Sequence, residues 1–159
     1  MINFAEQNNI DSWCITNDGV MGGESQGQFV LDQDKGVFTG NISLDNNGGF
    51  SSALRMIKPL PKKLETVTID IKGDGLTYQL RIIVNIKGYR LAYKHNFKTV
   101  ADQREILTFT LADFQATFRG RMLSNAPILQ SEYISQTGFL ITRKVAGPFS
   151  ISIFNLNFA

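Results

Sequence analysis

The sequence predicts an all-β protein, a β-sandwich of the jelly-roll type, on three observations. Apolar and polar residues alternate with a period of two over much of the chain, as half-buried strands require. Gly, Asn and Asp cluster between the alternating runs, where tight turns need them. Helical periodicity is scarce, and many short strands separated by turns suit two stacked sheets. The 159 residues fit one domain spanning 1–159. A chain of this size buries about 70% of its extended surface and needs no disulfide staples.

Taken in order, residues 4–12 allow at most a short helical turn. Gln28-Phe29-Val30-Leu31 has strand character. Phe38, Gly40, Ile42 and Leu44 share a face, and so do Phe50, Ser52, Leu54 and Met56. Between them, Asn46-Asn47-Gly48-Gly49 supplies the positive φ angles of a hairpin turn, so two antiparallel strands are expected to flank it. In 66–72, Val67, Ile69 and Ile71 alternate with polar residues, and Tyr78, Leu80, Ile82, Val84 and Ile86 form the next apolar face. Gly73-Asp74-Gly75 is expected to join these two as a hairpin. Tyr89, Leu91 and Tyr93 alternate with Arg90, Ala92 and Lys94, and Leu107, Phe109 and Leu111 with threonines. A short turn is allowed at 112–116, and 119–136 has the character of a long surface connection. The last strand changes phase: Phe149, Ile151 and Ile153 lie on one face, Phe154, Leu156 and Phe158 on the other. Either a bulge or burial on both sides accounts for that.

Composition bounds the function. A lone cysteine, Cys14, excludes an internal disulfide and fits a reducing compartment. The start, MINFAEQNNID, has no basic n-region and no apolar run, so secretion is not expected. No stretch approaches the roughly 20 apolar residues of a membrane span, so membrane insertion is not expected either. A cytoplasmic protein is the expectation. Net charge is +2 but unevenly distributed. Residues 1–50 hold seven acids and one base, net −6; residues 51–159 hold fifteen bases and seven acids, net +8. Such asymmetry marks a basic docking face unless strands from the two segments pair and offset one another.

The candidate chemistry is sparse. Gly19, Gly22 and Gly23 match no nucleotide-binding pattern, and a strand follows them rather than a helix. Asn17 and Asp18 beside a glycine-rich bend offer oxygens either for Ca²⁺ or for capping the turn, and Ca²⁺ needs 6–8 of them. Asn47 sits in the second glycine-rich turn. Asp74 either serves its turn or meets a ligand hydroxyl from the sheet rim. His95, the sole histidine, is expected at an exposed strand end without the partners a triad or zinc site demands. Arg55, Gln79, Arg81, Arg90 and Lys94 stand opposite the apolar faces; if their strands are neighbours, the cations line one sheet surface. That surface suits ordinary solvation, or else an acidic partner, a carbohydrate or RNA, although it has few aromatics for stacking. Arg119 and Arg121 add two guanidiniums in the long connection.

The motifs Trp13 followed by NDGVMGG (17–23) and Ser25, Phe38-Thr39-Gly40, LDNNGGF (44–50) with Arg55, GDG (73–75) with Tyr78 and Arg81, and Phe114 with FRGR (118–121) occur in that order along nearly the whole chain. Gly138-Phe139-Leu140-Ile141 and Gly147-Pro148-Phe149 complete the set. On these the sequence resembles the complex I intermediate-associated protein 30 family. The resemblance implies a galactose-binding-like β-sandwich without catalytic residues or cofactor. It also implies a role in binding or assembly, with protein subunits of a membrane complex as partners. Asn17, Asp18, Asn47, Arg55, Asp74, Tyr78, Arg81, Lys94, Arg119 and Arg121 are the residues expected to meet a ligand or partner. A carbohydrate-binding module is the alternative reading.

Overall fold

A computed structural model describes residues 2–3, 13–17, 23–45, 49–118 and 121–159, with the backbone alone at 2–3, 118 and 121–122. In chain order its strands are β1 (Ile2–Asn3), β2 (Trp13–Asn17), β3 (Gln26–Asp32), β4 (Lys35–Ile42), β5 (Phe50–Met56), β6 (Thr66–Lys72) and β7 (Thr77–Ile86). There follow β8 (Tyr89–Lys98), β9 (Arg104–Thr110), β10 (Gln115–Phe118), β11 (Arg121–Met122), β12 (Ile134–Thr142) and β13 (Gly147–Phe158). Single 3₁₀ turns occupy Leu111–Asp113 and Ser131–Tyr133. Two antiparallel sheets stack as a jelly-roll sandwich. One has six strands, ordered β3-β4-β13-β6-β9 with β1 also on β13; the other has seven, ordered β11-β10-β8-β7-β12-β5-β2.

The period-two alternation decides what enters the core. Val67, Ile69 and Ile71 of β6 are fully buried, as are Tyr78, Leu80 and Ile82 of β7. Aromatic rings tie the sheets together. Trp13 of β2 stacks on Phe29 of β3 with centroids 4.1 Å apart and planes 8° off parallel. Phe97 of β8 meets Phe109 of β9 across the sheets at 6.0 Å, and Phe139 of β12 in its own sheet at 6.2 Å. The phase change in β13 is a bulge: its register on β6 shifts between Ile153 and Asn155. The extra residue returns Leu156, 1% exposed, to the inner face with Ile153, and leaves Phe154 outside beneath Arg104.

Two expected hairpins are corners instead. β6 pairs with β13 and β9, whereas β7 pairs with β8 and β12, so Gly73-Asp74-Gly75 carries the chain from one sheet to the other. Likewise β4 and β5 belong to different sheets. Residues 46–48, Asn47 among them, lie outside the described ones. A turn signal reports that the chain reverses but not which strand it pairs with next.

The 73–75 corner is bound to the end of β8. Thr99 Oγ1 donates to the Leu76 carbonyl at 2.7 Å and accepts from Gly75 N–H at 3.0 Å. Gly73 packs so closely on Thr99 that a β-carbon there would overlap the threonine side chain. Thr99 is 6% exposed, and Thr99→Val removes both of these hydrogen bonds from the corner. The expected cost is about 1–2 kcal/mol in denaturant titrations.

Candidate functional site

The site is built from the outward half of the same alternation. With Tyr78, Leu80, Ile82 and Val84 buried, β7 turns Thr77, Gln79, Arg81 and Asn85 to the outer surface, while Ile83 on the same side is covered. With Tyr93 and Phe97 buried, β8 turns out Arg90, Ala92, Lys94, Asn96 and Lys98. The register sets Arg81 opposite Lys94, Gln79 opposite Asn96, Thr77 opposite Lys98 and Asn85 opposite Arg90. Pairing on either side continues this face with Gln136, Gly138 and Leu140 of β12 and Ser52, Leu54 and Met56 of β5. Cys14 and Thr16 of β2 complete it at one edge, Gln115 and Thr117 of β10 at the other. Among the described strand residues this face thus carries four cations, Arg81, Arg90, Lys94 and Lys98, and no carboxylate.

The outer face of the six-stranded sheet differs. There Lys35 lies 3.9 Å from Asp32, and Arg104 clasps Asp70 through two hydrogen bonds of 2.9 Å while its guanidinium sits 3.7 Å from the Phe154 ring centroid. Both pairs lie within one segment, Lys35–Asp32 in 1–50 and Arg104–Asp70 in 51–159, so among the described residues no ion pair offsets the charge of one segment against the other. These two are the ion pairs among the described residues.

Arg81 is the centre of the basic face. It is half-buried, and its Nη1 donates to Gln79 Oε1 at 2.9 Å. Burial, and after it the charge of Arg90, lowers its pKa from the ordinary arginine value. Directly across stands another cation, Lys94, an arrangement that costs stability in an antiparallel pair. Gln79 supplies one neutral acceptor for a group with five donors.

The other expected site residues are placed elsewhere. Arg55 does not share this face. It pairs with Trp13 and Thr137, in the row of buried Ile82, so its side chain is directed to the inner side. Its Nε donates to the Met56 carbonyl at 3.1 Å, and burial lowers its pKa. On the inner side of β5 stand the small, fully buried Ser51 and Ala53, because Trp13 and Phe139 fill the space beneath them; Ser52, also buried, and Leu54 and Met56 lie on the outer side. Tyr78 is fully buried, and its hydroxyl donates to Asp74 Oδ2 at 3.0 Å. The same oxygen accepts from Ser150 N–H at 2.7 Å, and Oδ1 from Leu76 N–H at 3.1 Å. Asn17 is half-buried at the end of β2, its Oδ1 accepting from Ser51 Oγ at 2.5 Å beside Gly27. Asp18 and Arg119 lie outside the described residues, and at Arg121 only the backbone, in β11, is described. His95 is half-buried rather than exposed: its ring lies 4.7 Å from Phe109 and 5.5 Å from Phe114, and Nδ1 is 2.8 Å from the Asn96 carbonyl.

Lys98 was missed by sequence reasoning because the strand was expected to end near His95. Phe97, buried at 6% exposure, carries the alternation one step further and would have placed it. Among the described residues no group of three His, Cys, Asp or Glu gathers as metal ligands. A recess of about 320 Å³ lies off the basic face, bordered by Tyr93, Phe114, Leu123, Ala126, Pro127 and Ile128.

The profile of the complex I intermediate-associated protein 30 family matches residues 2–153. No curated protein sequence matches the chain. Among solved structures, the family 11 carbohydrate-binding module of the cellulosomal cellulase Lic26A-Cel5E of Clostridium thermocellum is similar at 14% identity and a TM-score of 0.63, covering 91% of this chain and 88% of that one. A family 4 carbohydrate-binding module is similar at 15% identity and a TM-score of 0.58, covering 96% and 89%. An exo-β-agarase contains a similar domain at 8% identity and a TM-score of 0.61, covering all of this chain and 25% of the enzyme. At these identities the likeness is one of fold.

Proposed function

The chain belongs to the complex I intermediate-associated protein 30 family, and from that premise we propose that it is a non-catalytic assembly factor. It holds protein subunits of a respiratory or other membrane complex against the outer face of its seven-stranded sheet. The observation that carries this reading is the charge of that face: among the described residues its strands hold four cations and no carboxylate, and both ion pairs lie on the opposite sheet. Such a surface steers an acidic partner toward itself and disfavours a basic one. No helix among the described residues is long and apolar enough to cross a membrane. The exposed thiol of Cys14 supports a reducing compartment, and the cytoplasm is the location we propose.

Affinity capture under mild lysis tests the reading. The wild-type protein is expected to recover membrane-complex subunits, and the Arg81→Glu variant to lose them. Recovery of no such subunits by the wild type counts against the proposal. The second reading, a carbohydrate-binding module, is favoured by the fold likeness to such modules. It needs aromatic platforms, and among the described strand residues of this face only Phe50, at one end of β5, is aromatic. A glycan array blank at millimolar sugar, equivalent to a binding free energy no better than about −4.1 kcal/mol, eliminates it.

A further inference from the structure

We propose that Arg81 and Lys94 together form a seat for a carboxylate of an extended acidic protein segment lying along β8. This inference rests on the docking role proposed above and specifies the chemistry of the same face. Four observations lead to it. Arg81 is half-buried and touches no carboxylate among the described residues; its one hydrogen-bond partner is the neutral Gln79. Lys94 is its direct cross-strand neighbour, so two like charges are held side by side at a cost to folding that nothing among the described residues offsets. An anion placed between them converts that repulsion into two attractions. Burial, and after it the charge of Arg90, lowers the pKa of Arg81, and an anion beside it favours the charged guanidinium.

The remaining cations give the direction of the segment. Arg90, Lys94 and Lys98 recur at every fourth residue on one side of β8. At about 3.3 Å per residue they stand roughly 13 Å apart in a line. An extended peptide with acidic residues at every fourth position repeats at the same distance and on one side. The scarcity of aromatic rings on this face disfavours nucleic acid, which binds single-stranded through stacked bases.

The test uses a blocked peptide of serine and threonine with glutamate at every fourth position, and its glutamine counterpart, in fluorescence anisotropy with the intact protein at low salt. The glutamate peptide is expected to bind and the glutamine peptide not. Arg81→Gln weakens binding by about tenfold or more, the factor that corresponds to one charge-assisted contact. Lys94→Glu abolishes binding while raising Tm by about 2 °C, because it pairs with Arg81 instead of repelling it. That rise also shows that the variant folds. Peptide binding indifferent to Arg81→Gln, or a Tm lowered by Lys94→Glu, overturns the proposal. So does a single-stranded RNA of equal charge that binds more tightly than the glutamate peptide. If no peptide binds but capture of membrane subunits still depends on Arg81, the carboxylate seat is wrong and the docking role survives. Loss of both removes the docking role as well.

Discussion

Gly138→Ala is expected to be severely damaging despite adding only one methyl group. Gly138 lies in mid-β12, between Leu54 of β5 and Arg81 of β7. A β-carbon there would overlap the Ala53 carbonyl oxygen and lie 2.8 Å from Leu54 Cα. Both obstacles are backbone atoms of the adjoining strand, so no rotamer change relieves the clash. β12 and β5 must separate, and seven registered residue pairs join them. The expected destabilisation is about 3 kcal/mol or more. At about 2–4 °C per kcal/mol for a chain of this size, Tm falls by roughly 10 °C. Gly88→Ala is the control. Gly88 has φ of 85° but no atom within 4 Å of a β-carbon, so its cost is strain alone and is expected to be about 1 kcal/mol. A Gly138→Ala protein as stable as wild type in thermal and denaturant unfolding would contradict the close pairing of these strands.

Asp74→Ala is expected to cost about 2–3 kcal/mol, with Tm lower by about 5–10 °C. The carboxylate accepts three hydrogen bonds: from Leu76 N–H within its own corner, from the Tyr78 hydroxyl, and from Ser150 N–H on β13 in the other sheet. Its removal leaves the Tyr78 hydroxyl in a fully buried side chain and breaks one polar link between the sheets. Tyr78→Phe separates the contributions, because it deletes the buried donor together with its bond and should cost only about 1 kcal/mol. Tyr78→Phe also changes the alkaline limit. Burial, and then the charge and hydrogen bond of Asp74, holds the Tyr78 phenol protonated far above the ordinary tyrosine range. The unfolded chain releases this proton near pH 10, whereas the folded chain keeps it. Stability from this group is therefore complete below about pH 10 and declines as pH rises beyond it. Tyr78→Phe should flatten the decline in Tm between pH 9.5 and about 11.5; a slope as steep as that of wild type would refute the assignment. Part of the slope remains, because burial also raises the pKa of Tyr93.

Much of the basic face was legible in the sequence. In β7 the apolar Tyr78, Leu80 and Ile82 are large and unbroken, so Gln79 and Arg81 can only point the other way. The same argument placed Lys94 opposite Tyr93. It failed at β5, where hydrophobicity and burial run in opposite phases. Leu54 and Met56 are the bulkier apolar residues, yet Ser51 and Ala53 occupy the core, because Trp13 and Phe139 already fill it and leave room only for small side chains. Arg55 was assigned to the wrong face for that reason. His95 was expected in solvent for a related one: the rings of Phe109 and Phe114 that flank it come from β9 and from the end of the 3₁₀ turn after it.

Local alternation in the chain sufficed to specify strands such as β6, β7 and β8 and their buried sides, since each depends on side chains two residues apart. Partner choice was another matter. Nothing within 66–86 says that β6 pairs with β13 and β7 with β12, about 80 and 50 residues further on. The equally distant pairing of β6 with β9 sets Asp70 beside Arg104, 34 positions away, whereas β7 and β8, adjacent in the chain, set Arg81 beside Lys94. Whether a charge is neutralised or left available to a partner depends on which strands meet across the sheet. Contacts so distant in sequence are selected by the packing of the whole core, and only the assembled sandwich contains them.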